Sequence, residues 1–419
     1  MKDIHNYEIM APVGSYESLA TAIRAGANAV YFGVEGLNMR TNSSNNFIIS
    51  DLYKIAKICE KHHIRSYLTV NTIIYNSDIE KMQTIIEAAQ KAKLSAIIAS
   101  DIAVMMYARS VGIEVHLSTQ LNITNIESIQ FYAQFADVVV LARELNLEQV
   151  KEIHDQIVER QIKGPSGKLI RIEIFCHGAL CMAVSGKCYL SLHEMNSSAN
   201  RGACNQVCRR SYLVKDKESE IELEVGNPYI MSPKDLKTIH FLNKILDAGV
   251  QVIKIEGRAR GPEYVKIVTE CYKEALHSYC DDSFSEEKIK DWDKRLERVF
   301  NRGFWNGYYL GQRLGEWSNK YGNKAIEKKM YIGKAVKYFS KLNVAEFLME
   351  TQSLKVGDKI LITGPTTGAL FSEVKEIRVN LIVVEQTKKG EYFSLKTPAK
   401  VRPSDKLYKL IQNPDTLVG

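Results

Sequence analysis

Cysteine side chains carry the clearest chemistry in this sequence. Five of the eight cysteines lie between residues 173 and 210, namely Cys176, Cys181, Cys188, Cys204 and Cys208. Cys176 ends an alternating apolar run and is predicted to lie in a strand, whereas the other four lie in chain rich in glycine, serine and asparagine. Such a segment cannot bury a core of its own, and metal binding supplies the folding energy that it lacks. The pattern therefore indicates a metal held by four thiolates.

The spacing of these thiols leaves two kinds of metal site open. Zinc favours pairs of ligands at short spacing, which Cys204 and Cys208 satisfy but Cys181 and Cys188, with six residues between them, do not. Iron–sulfur clusters are also held by four thiolates and tolerate irregular spacing. Cys176 is either a fifth ligand or a buried core thiol, and its strand position favours the core.

Composition narrows the class of protein. The chain has 419 residues, of which 45% are hydrophobic and 25% charged, which suffices for one large domain and a smaller one. No apolar run approaches the ~20 residues of a membrane span, and the N-terminus lacks the apolar core of a signal peptide. We therefore expect a cytoplasmic protein without a membrane partner, in which clustered cysteines serve metals or catalysis more often than disulfides.

Strand and helix patterns alternate over residues 1–280. Short apolar runs predict eight strands: Glu8–Ala11, Ala29–Gly33, Arg65–Val70, Ala96–Ser100, Ile113–Ser118, Asp137–Ala142, Ile170–Cys176 and Val252–Glu256. Helical periodicity follows each strand, first after the cap Ser15 and then at Asp51–His62, Asp78–Ala92, Asp101–Val111, Asn125–Phe135, Asn146–Arg160, Ser232–Ala248 and Pro262–Tyr279. Eight strand–helix units predict an α/β fold, the closed (β/α)8 TIM-like barrel. An open doubly wound sheet is the alternative, but no Gly-x-Gly-x-x-Gly follows the first strand.

Two further parts are predicted after the barrel. Residues 281–327 are interpreted as a helical and aromatic linker with one helix near Glu286–Arg298, and residues 328–419 as a small all-β barrel domain. The strands predicted there are Tyr331–Tyr338, Val344–Thr351, Lys359–Thr363, Ser372–Val379, Leu381–Glu385 and Lys406–Leu410. From Tyr321 onward, 17 Lys and Arg stand against 10 Asp and Glu, in a chain of net charge +7. This basic module fits a polyanionic partner, and a solvated lysine-rich face explains it equally well.

The cysteine-bearing loop of residues 177–231 follows strand seven of the predicted barrel. Barrel active sites are built from the loops that leave the C-terminal ends of the strands. Because such loops usually run ~2–6 residues, a segment of this length that carries four cysteines is predicted to be functional.

Several motifs resemble the collagenase-like peptidase family of unassigned catalytic type. The signature runs Glu173-x-Phe175-x-x-Gly178-Ala179-Leu180-Cys181, followed by Gly186-x-Cys188-x-x-Ser191. Supporting matches spread over nearly the whole chain, at residues 8–14, 25–33, 118–120, 232–236, 254–258 and 300–304. Within the family the chain is most similar to a branch implicated in making 5-hydroxyuridine at the wobble position of tRNA, with prephenate as the proposed hydroxyl source.

This resemblance implies a dioxygen-independent tRNA hydroxylase that carries a 4Fe–4S cluster. Carried over by position, the cluster ligands are Cys181, Cys188, Cys204 and Cys208. Relatives also hydroxylate ribosomal RNA, which is an alternative substrate. The family label keeps a peptidase with a structural metal as a rival, although the sequence has no His-Glu-x-x-His and no Gly-x-Ser-x-Gly. A non-catalytic RNA-binding factor is the third hypothesis.

Polar residues at predicted strand ends are the candidates for the catalytic site. We expect Glu173, His177, Glu256, Arg258 and Arg143 there, with the two arginines binding the carboxylates of prephenate. The alternative is that these arginines and glutamates pair with each other, and that His177 hydrogen-bonds backbone instead of acting as an acid or base. The wider set by position comprises Glu8, Asn71, Gln120 and Glu144.

Contacts with tRNA are predicted from basic and aromatic residues. Arginines that flank the last cysteines are candidates for phosphate contacts or form a solvated basic loop: Arg201, Arg209 and Arg210. Aromatic residues of the linker stack on bases or, more often, pack an interdomain seam: Phe304, Trp305, Tyr308 and Tyr309. The basic C-terminal domain is expected to hold the tRNA body, or to be an inert cap or a dimer contact.

Overall fold

A computed structural model describes residues 2–41, 46–212, 229, 231–319 and 322–414. Its first sheet contains ten strands: β1 (Glu8–Pro12), β2 (Ala29–Phe32), β3 (Arg65–Val70), β4 (Ala96–Ala99), β5 (Glu114–Leu117), β6 (Val138–Val140), β7 (Arg171–Gly178), β8 (Asp235–Lys237), β9 (Val252–Ile255) and β10 (Phe304–Trp305). Strands β1 to β7 pair in chain order and in parallel. Strand β9 pairs in parallel with β1 and with β7, so the eight strands close into a barrel. The predicted TIM-like fold is confirmed.

The alternation of side chains along each strand explains why apolar runs form this barrel. Met10 packs inside the barrel with alanine, tyrosine and isoleucine side chains of other strands. Its neighbours Ile9 and Ala11 point the other way, into the core between strands and helices. Strands buried on both faces must be apolar at nearly every position, which is the pattern that the sequence shows.

Helices follow the barrel strands, and one of them, α7 (Leu190–Met195), lies in the cysteine-bearing loop. They are α1 (Tyr16–Arg24), α2 (Asp51–Lys61), α3 (Ile79–Lys91), α4 (Ile102–Ser110), α5 (Ile126–Tyr132), α6 (Leu147–Glu159), α7 (Leu190–Met195), α8 (Leu242–Asp247), α9 (Pro262–Cys280) and α10 (Glu286–Glu297). Ser15 caps α1 as predicted, since its Oγ accepts a hydrogen bond from the backbone N–H of Ser18 at 3.2 Å. In the described part of the chain, no helix combines the length and the apolar character needed to cross a membrane.

The predicted helix Ser232–Ala248 is wrong in its first half. Residues Asp235–Lys237 form strand β8, which pairs antiparallel with the end of β7, His177 opposite Lys237. Strand β7 runs past the barrel rim, and β8 satisfies the backbone groups that this extension exposes. The helical periodicity is real only from Leu242, where α8 begins.

A second, antiparallel sheet follows the barrel. Its strands are β11 (Glu327–Phe339), β12 (Val344–Met349), β13 (Lys359–Gly364), β14 (Gly368–Glu373), β15 (Ile377–Val379), β16 (Ile382–Val384), β17 (Tyr392–Lys396) and β18 (Lys406–Gln412). The predicted strand Ser372–Val379 is two strands, β14 and β15, and β17 was not predicted. The sheet encloses a core of its own, in which Phe347 and Phe393 stack at 5.7 Å. It also contacts the barrel, where Lys329 pairs with Glu263 of α9 at 2.7 Å.

Candidate functional site at the mouth of the barrel

A cavity of about 200 Å³ opens at the carboxyl end of the barrel strands. We call it the mouth cavity. Its wall is formed by residues that follow the barrel strands and by the cysteine-bearing loop, among them Tyr31, Arg40, Asn71, Gln120, Arg143, Phe175, Cys181, Cys188, Cys204, Cys208, Arg209, Lys254, Glu256, Arg258, Arg260 and Arg302. The four cysteines predicted as ligands thus line one cavity at the end of the barrel where such enzymes act.

The four thiols also lie within electrostatic range of one another. Burial raises the pKa of the Cys208 thiol, and the charges of Cys181, Cys204 and Cys188 raise it further, against a lowering effect of Arg209. Arg209 fixes the loop, because its guanidinium donates to the carbonyl oxygens of Leu180 at 2.5 Å and Pro233 at 2.6 Å. A bound cation stabilises the thiolate form of such neighbouring thiols.

The arrangement of the thiols bears on which metal they fit. No three His, Cys, Asp or Glu side chains in the described ranges stand close enough together to hold a single metal ion. A zinc ion at about 2.3 Å from each sulfur requires that degree of closeness. A four-iron cluster binds each cysteine through a different iron and accepts a wider set of four thiols around one cavity. Four cysteine thiols around one cavity are the donor set that a four-iron cluster uses.

Positive charge dominates the rest of the mouth cavity. Among the residues that the structure describes, its wall carries seven cationic side chains, namely Arg40, Arg143, Arg209, Lys254, Arg258, Arg260 and Arg302, against one carboxylate, Glu256. Burial alone raises the pKa of Glu256, but Arg40 and the other surrounding arginines outweigh it and lower that pKa. The cavity is consequently suited to anions.

Arg40 is the partner of Glu256 and was missed by sequence reasoning. Its Nη2 donates to Glu256 Oε1 at 2.8 Å, and it lies within electrostatic range of Cys181 and Cys204. The fully buried Asn38 connects this pair to Arg258, because its Oδ1 accepts from the Arg40 backbone N–H and from Arg258 Nη2, each at 3.0 Å. The loop after β2 is therefore part of the site.

Arg258 and Arg143 both line the mouth cavity, as predicted. Arg258 is held by Thr69 Oγ1 and by Asn38, both at 3.0 Å, and burial lowers its pKa to about 10. Arg143 stacks on Phe175, with its guanidinium carbon 3.9 Å from the ring centroid, and donates to the carbonyl oxygen of Ala179 at 3.0 Å. The buried Nε of Arg143 has no hydrogen-bond partner among the described residues.

Glu173 and His177 lie behind the cavity wall and do not line it. Glu173 is fully buried and pairs with Lys254 at 2.7 Å, so it positions that lysine at the cavity. His177 packs against the rings of Tyr272 and Phe304, and burial lowers its pKa to about 3. The geometry thus gives His177 a neutral, structural place, with its Nδ1 at 3.4 Å from the hydroxyl of Tyr272.

The remaining candidates fall into two groups. Asn71 and Gln120 line the mouth cavity, whereas Glu144 lines a smaller pocket beside it. Glu8 lies at the opposite, amino-terminal end of β1, where it accepts a hydrogen bond from Tyr67 at 2.7 Å. Cys176 is fully buried with its Sγ donating to the carbonyl oxygen of Lys254 at 3.4 Å, which is the core position predicted for it.

Basic and aromatic residues proposed for RNA contact take different places. Arg209 lines the cavity, Arg210 is exposed near Glu194, and Arg201 forms an ion pair with Asp78. Of the linker aromatics, Trp305 and Tyr309 are buried, so the packing alternative holds for these two.

Comparison with known proteins agrees with the family resemblance of the sequence. Residues 14–319 match peptidase family U32. A collagenase of Porphyromonas gingivalis is 64% identical over 407 residues, which cover 97% of this chain and 98% of that protein. A tRNA hydroxylation protein of Bacillus subtilis is 33% identical over 302 residues, 70% of this chain and 69% of that protein. A 23S rRNA 5-hydroxycytidine synthase of Escherichia coli is 33% identical over 279 residues, 66% of this chain and 40% of that protein. The chain therefore belongs to peptidase family U32.

Proposed function

We propose that this protein is an iron–sulfur-dependent RNA hydroxylase that converts the wobble uridine of tRNA to 5-hydroxyuridine, with prephenate as hydroxyl donor. One observation carries the proposal: four cysteines line the same cavity as seven cations at the catalytic end of the barrel. The names of the relatives from Bacillus subtilis and Escherichia coli support RNA hydroxylation. Placing oxygen on an unactivated base carbon requires a cofactor, which protein side chains alone do not replace.

Cys181, Cys188, Cys204 and Cys208 would hold the cluster. A bound 4Fe–4S cluster supplies one-electron chemistry at this place. Arg209 supports the ligands by anchoring the loop to the carbonyl oxygens of Leu180 and Pro233. Outer contacts of this kind orient metal ligands and tune the group that they bind.

The arginines of the mouth cavity would bind the carboxylates of prephenate. Arginine presents a planar fork of donors that matches a carboxylate bidentately. Arg143 and Arg260 are the best placed, since each guanidinium is positioned by an aromatic ring, Phe175 at 3.9 Å and Phe300 at 3.5 Å. Arg258 has both terminal nitrogens engaged by Thr69 and Asn38, so its contribution is mainly to shape and charge.

RNA access to the cavity requires an unstacked base. A nucleotide in an anticodon loop is flipped out at low cost, whereas a base in a duplex is not reachable. Excess positive charge at the cavity also attracts the backbone phosphates next to the target base. The basic C-terminal domain is proposed to contact the tRNA body.

A peptidase is the second candidate, because the relative from Porphyromonas gingivalis is named a collagenase. Peptide hydrolysis needs an activated nucleophile or a metal-bound water. No histidine of the described residues lines the mouth cavity, and His177 lies behind its wall. The site thus offers little of the general-base chemistry that a peptidase requires.

Anaerobic purification followed by iron and sulfide analysis tests the proposal first. About four irons and four sulfides per chain are expected for the hydroxylase. Mass spectrometry of tRNA and ribosomal RNA from a deletion strain then identifies the substrate, through loss of 5-hydroxyuridine from tRNA. One zinc without sulfide, together with cleavage of gelatin by the purified protein, would establish the peptidase instead.

A further inference from the structure

The loop after β3 begins at the mouth cavity and carries an exposed tyrosine. Asn71, at the start of this loop, lines the cavity, and Tyr75 further along has 56% of its side chain exposed. The loop is joined to the cysteine-bearing loop, because the Ile73 N–H donates to the carbonyl oxygen of Asn200 at 3.2 Å. Tyr75 therefore lies where both loops meet.

Arg201 covers one face of the Tyr75 ring. Its guanidinium carbon is 4.1 Å from the ring centroid, and its Nη1 donates to the carbonyl oxygen of Ile73 at 2.8 Å. Both terminal nitrogens of Arg201 also bind the carboxylate of Asp78. Asp78 in turn accepts a hydrogen bond from the Tyr75 backbone N–H at 2.8 Å. Three side chains thus fix one another, and we call Tyr75, Asp78 and Arg201 the Tyr75 platform.

We propose that the Tyr75 platform stacks a nucleotide base next to the one that enters the mouth cavity. This inference rests on the proposed function and adds a specific contact for single-stranded RNA. An aromatic ring that is exposed on one face and supported by a guanidinium on the other is pre-organised for stacking. A rigid ring loses little conformational entropy when a base binds.

The charge of the platform separates this role from a phosphate contact. The hydrogen bonds between the two side chains lower the pKa of Asp78 and raise the pKa of Arg201, so both groups stay charged and their charges cancel. A neutral platform contributes stacking without releasing counterions from RNA. Its contribution to affinity is accordingly expected to be independent of salt, unlike that of a lysine or arginine on a phosphate.

Binding of an anticodon stem–loop RNA with uridine at the wobble position, at several salt concentrations, tests the inference. Tyr75→Ala is expected to weaken binding by roughly 5- to 100-fold at every salt concentration, whereas Tyr75→Phe binds like the unmodified protein. Tyr53→Ala is the matched control, because Tyr53 is 67% exposed on α2 and outside the platform. The absorption spectrum and iron content of each variant are expected to stay unchanged.

The outcomes distinguish this inference from the proposed function. Equal binding of the stem–loop by the unmodified protein and Tyr75→Ala overturns the stacking role and leaves the hydroxylase proposal standing. A loss that shrinks with added salt also overturns it, since that behaviour marks a phosphate contact. A third outcome overturns both the stacking role and the hydroxylase proposal. In that outcome the unmodified protein does not bind the stem–loop but binds a gelatin peptide, and Tyr75→Ala weakens the binding of that peptide.

Discussion

The carboxylate of Glu256, at the end of the last barrel strand, accepts a hydrogen bond from Arg40 at 2.8 Å. The pair joins the loop after β2 to β9 across the mouth cavity and lies within electrostatic range of Cys181 and Cys204. Both groups are mostly shielded from water, with 24% and 13% of their side chains exposed. Removing one partner of such a pair leaves the other poorly compensated.

Arg40→Ala is therefore expected to lower the free energy of unfolding by about 2–3 kcal/mol near neutral pH. The pKa of Glu256 is held below its ordinary value of 4.5, so the stabilisation is present above that pH and is lost on acidification. The difference between Arg40→Ala and the unmodified protein should shrink below about pH 4.5. Urea unfolding at several pH values measures it.

Lys91→Ala provides the control for this measurement. Lys91 pairs with Glu87 on the surface of α3 at 3.2 Å, with 73% of the lysine side chain exposed. Exposed pairs of this kind contribute little to stability, because water and salt screen them. If Arg40→Ala and Lys91→Ala lowered the free energy of unfolding by the same amount, the Arg40–Glu256 pair would not be a stabilising contact of the site.

Cys204→Ser is expected to remove most of the iron and sulfide from the anaerobically purified protein while the barrel stays folded. The described part of the cysteine-bearing loop lines the mouth cavity and contributes few of the side chains in the barrel core, so the loss should be local. Cys176→Ser is the control, because Cys176 lies in the core and its hydrogen bond to Lys254 can be kept by a hydroxyl. Iron loss in Cys176→Ser with retention in Cys204→Ser would reverse the ligand assignment.

The barrel was predictable from sequence because its signal is local and repeated. Strands buried on both faces appear as short apolar runs, and eight of them in alternation with helical patterns leave few topologies. The structure of the segment Ser232–Ala248 was not predictable in the same way, because β8 forms by pairing with the end of β7 and no local sequence pattern indicates that pairing. Periodicity from Leu242 onward was simply extended too far towards the N-terminus.

The cysteines of the site were also predictable, whereas most of its cations were not. Thiols at these spacings carry their own chemical signal, but Arg40, Arg260 and Arg302 acquire a role only through their positions around the cavity. One signal for Arg40 was available. The chain between β2 and α2, residues 33–50, is also much longer than the ~2–6 residues usual for a loop at the catalytic end, so the length argument that marked the cysteine-bearing loop applies to it as well.

His177 provides a test of acid sensitivity. Its pKa falls from an ordinary 6.5 to about 3 because burial disfavours the imidazolium, with Lys237 acting in the same direction. Below pH 6.5 the unfolded chain binds a proton that the folded chain does not, so stability is full above this pH and falls towards pH 3. His177 alone is expected to lower the free energy of unfolding by about 2 kcal/mol as the pH falls from about 7 to about 5.

His177→Gln should remove that part of the pH dependence, as measured by urea unfolding at both pH values. His62→Gln, at an exposed position, should leave it in place. Unchanged pH dependence in His177→Gln, combined with an altered pH profile of RNA hydroxylation, would instead support the acid–base role that its sequence position suggested.

Gly202 marks the point where the cysteine-bearing loop meets the loop after β2. Its φ is +82°, and a Cβ there would stand 2.3 Å from the carbonyl oxygen of Asn38, a contact that backbone cannot relieve easily. Gly202→Ala is therefore expected to displace the loop. The free energy of unfolding should fall by about 1–3 kcal/mol, and most of the bound iron should be lost. Gly112→Ala separates backbone strain from the clash with Asn38, because Gly112 has a φ of +79° but nothing within 4 Å of the added carbon. Iron analysis and urea unfolding of both variants measure the two effects. Equal losses of iron and of stability in the two variants would trace the effect to backbone strain alone. Retention of iron in Gly202→Ala would show that the cysteine-bearing loop binds its metal without docking on Asn38.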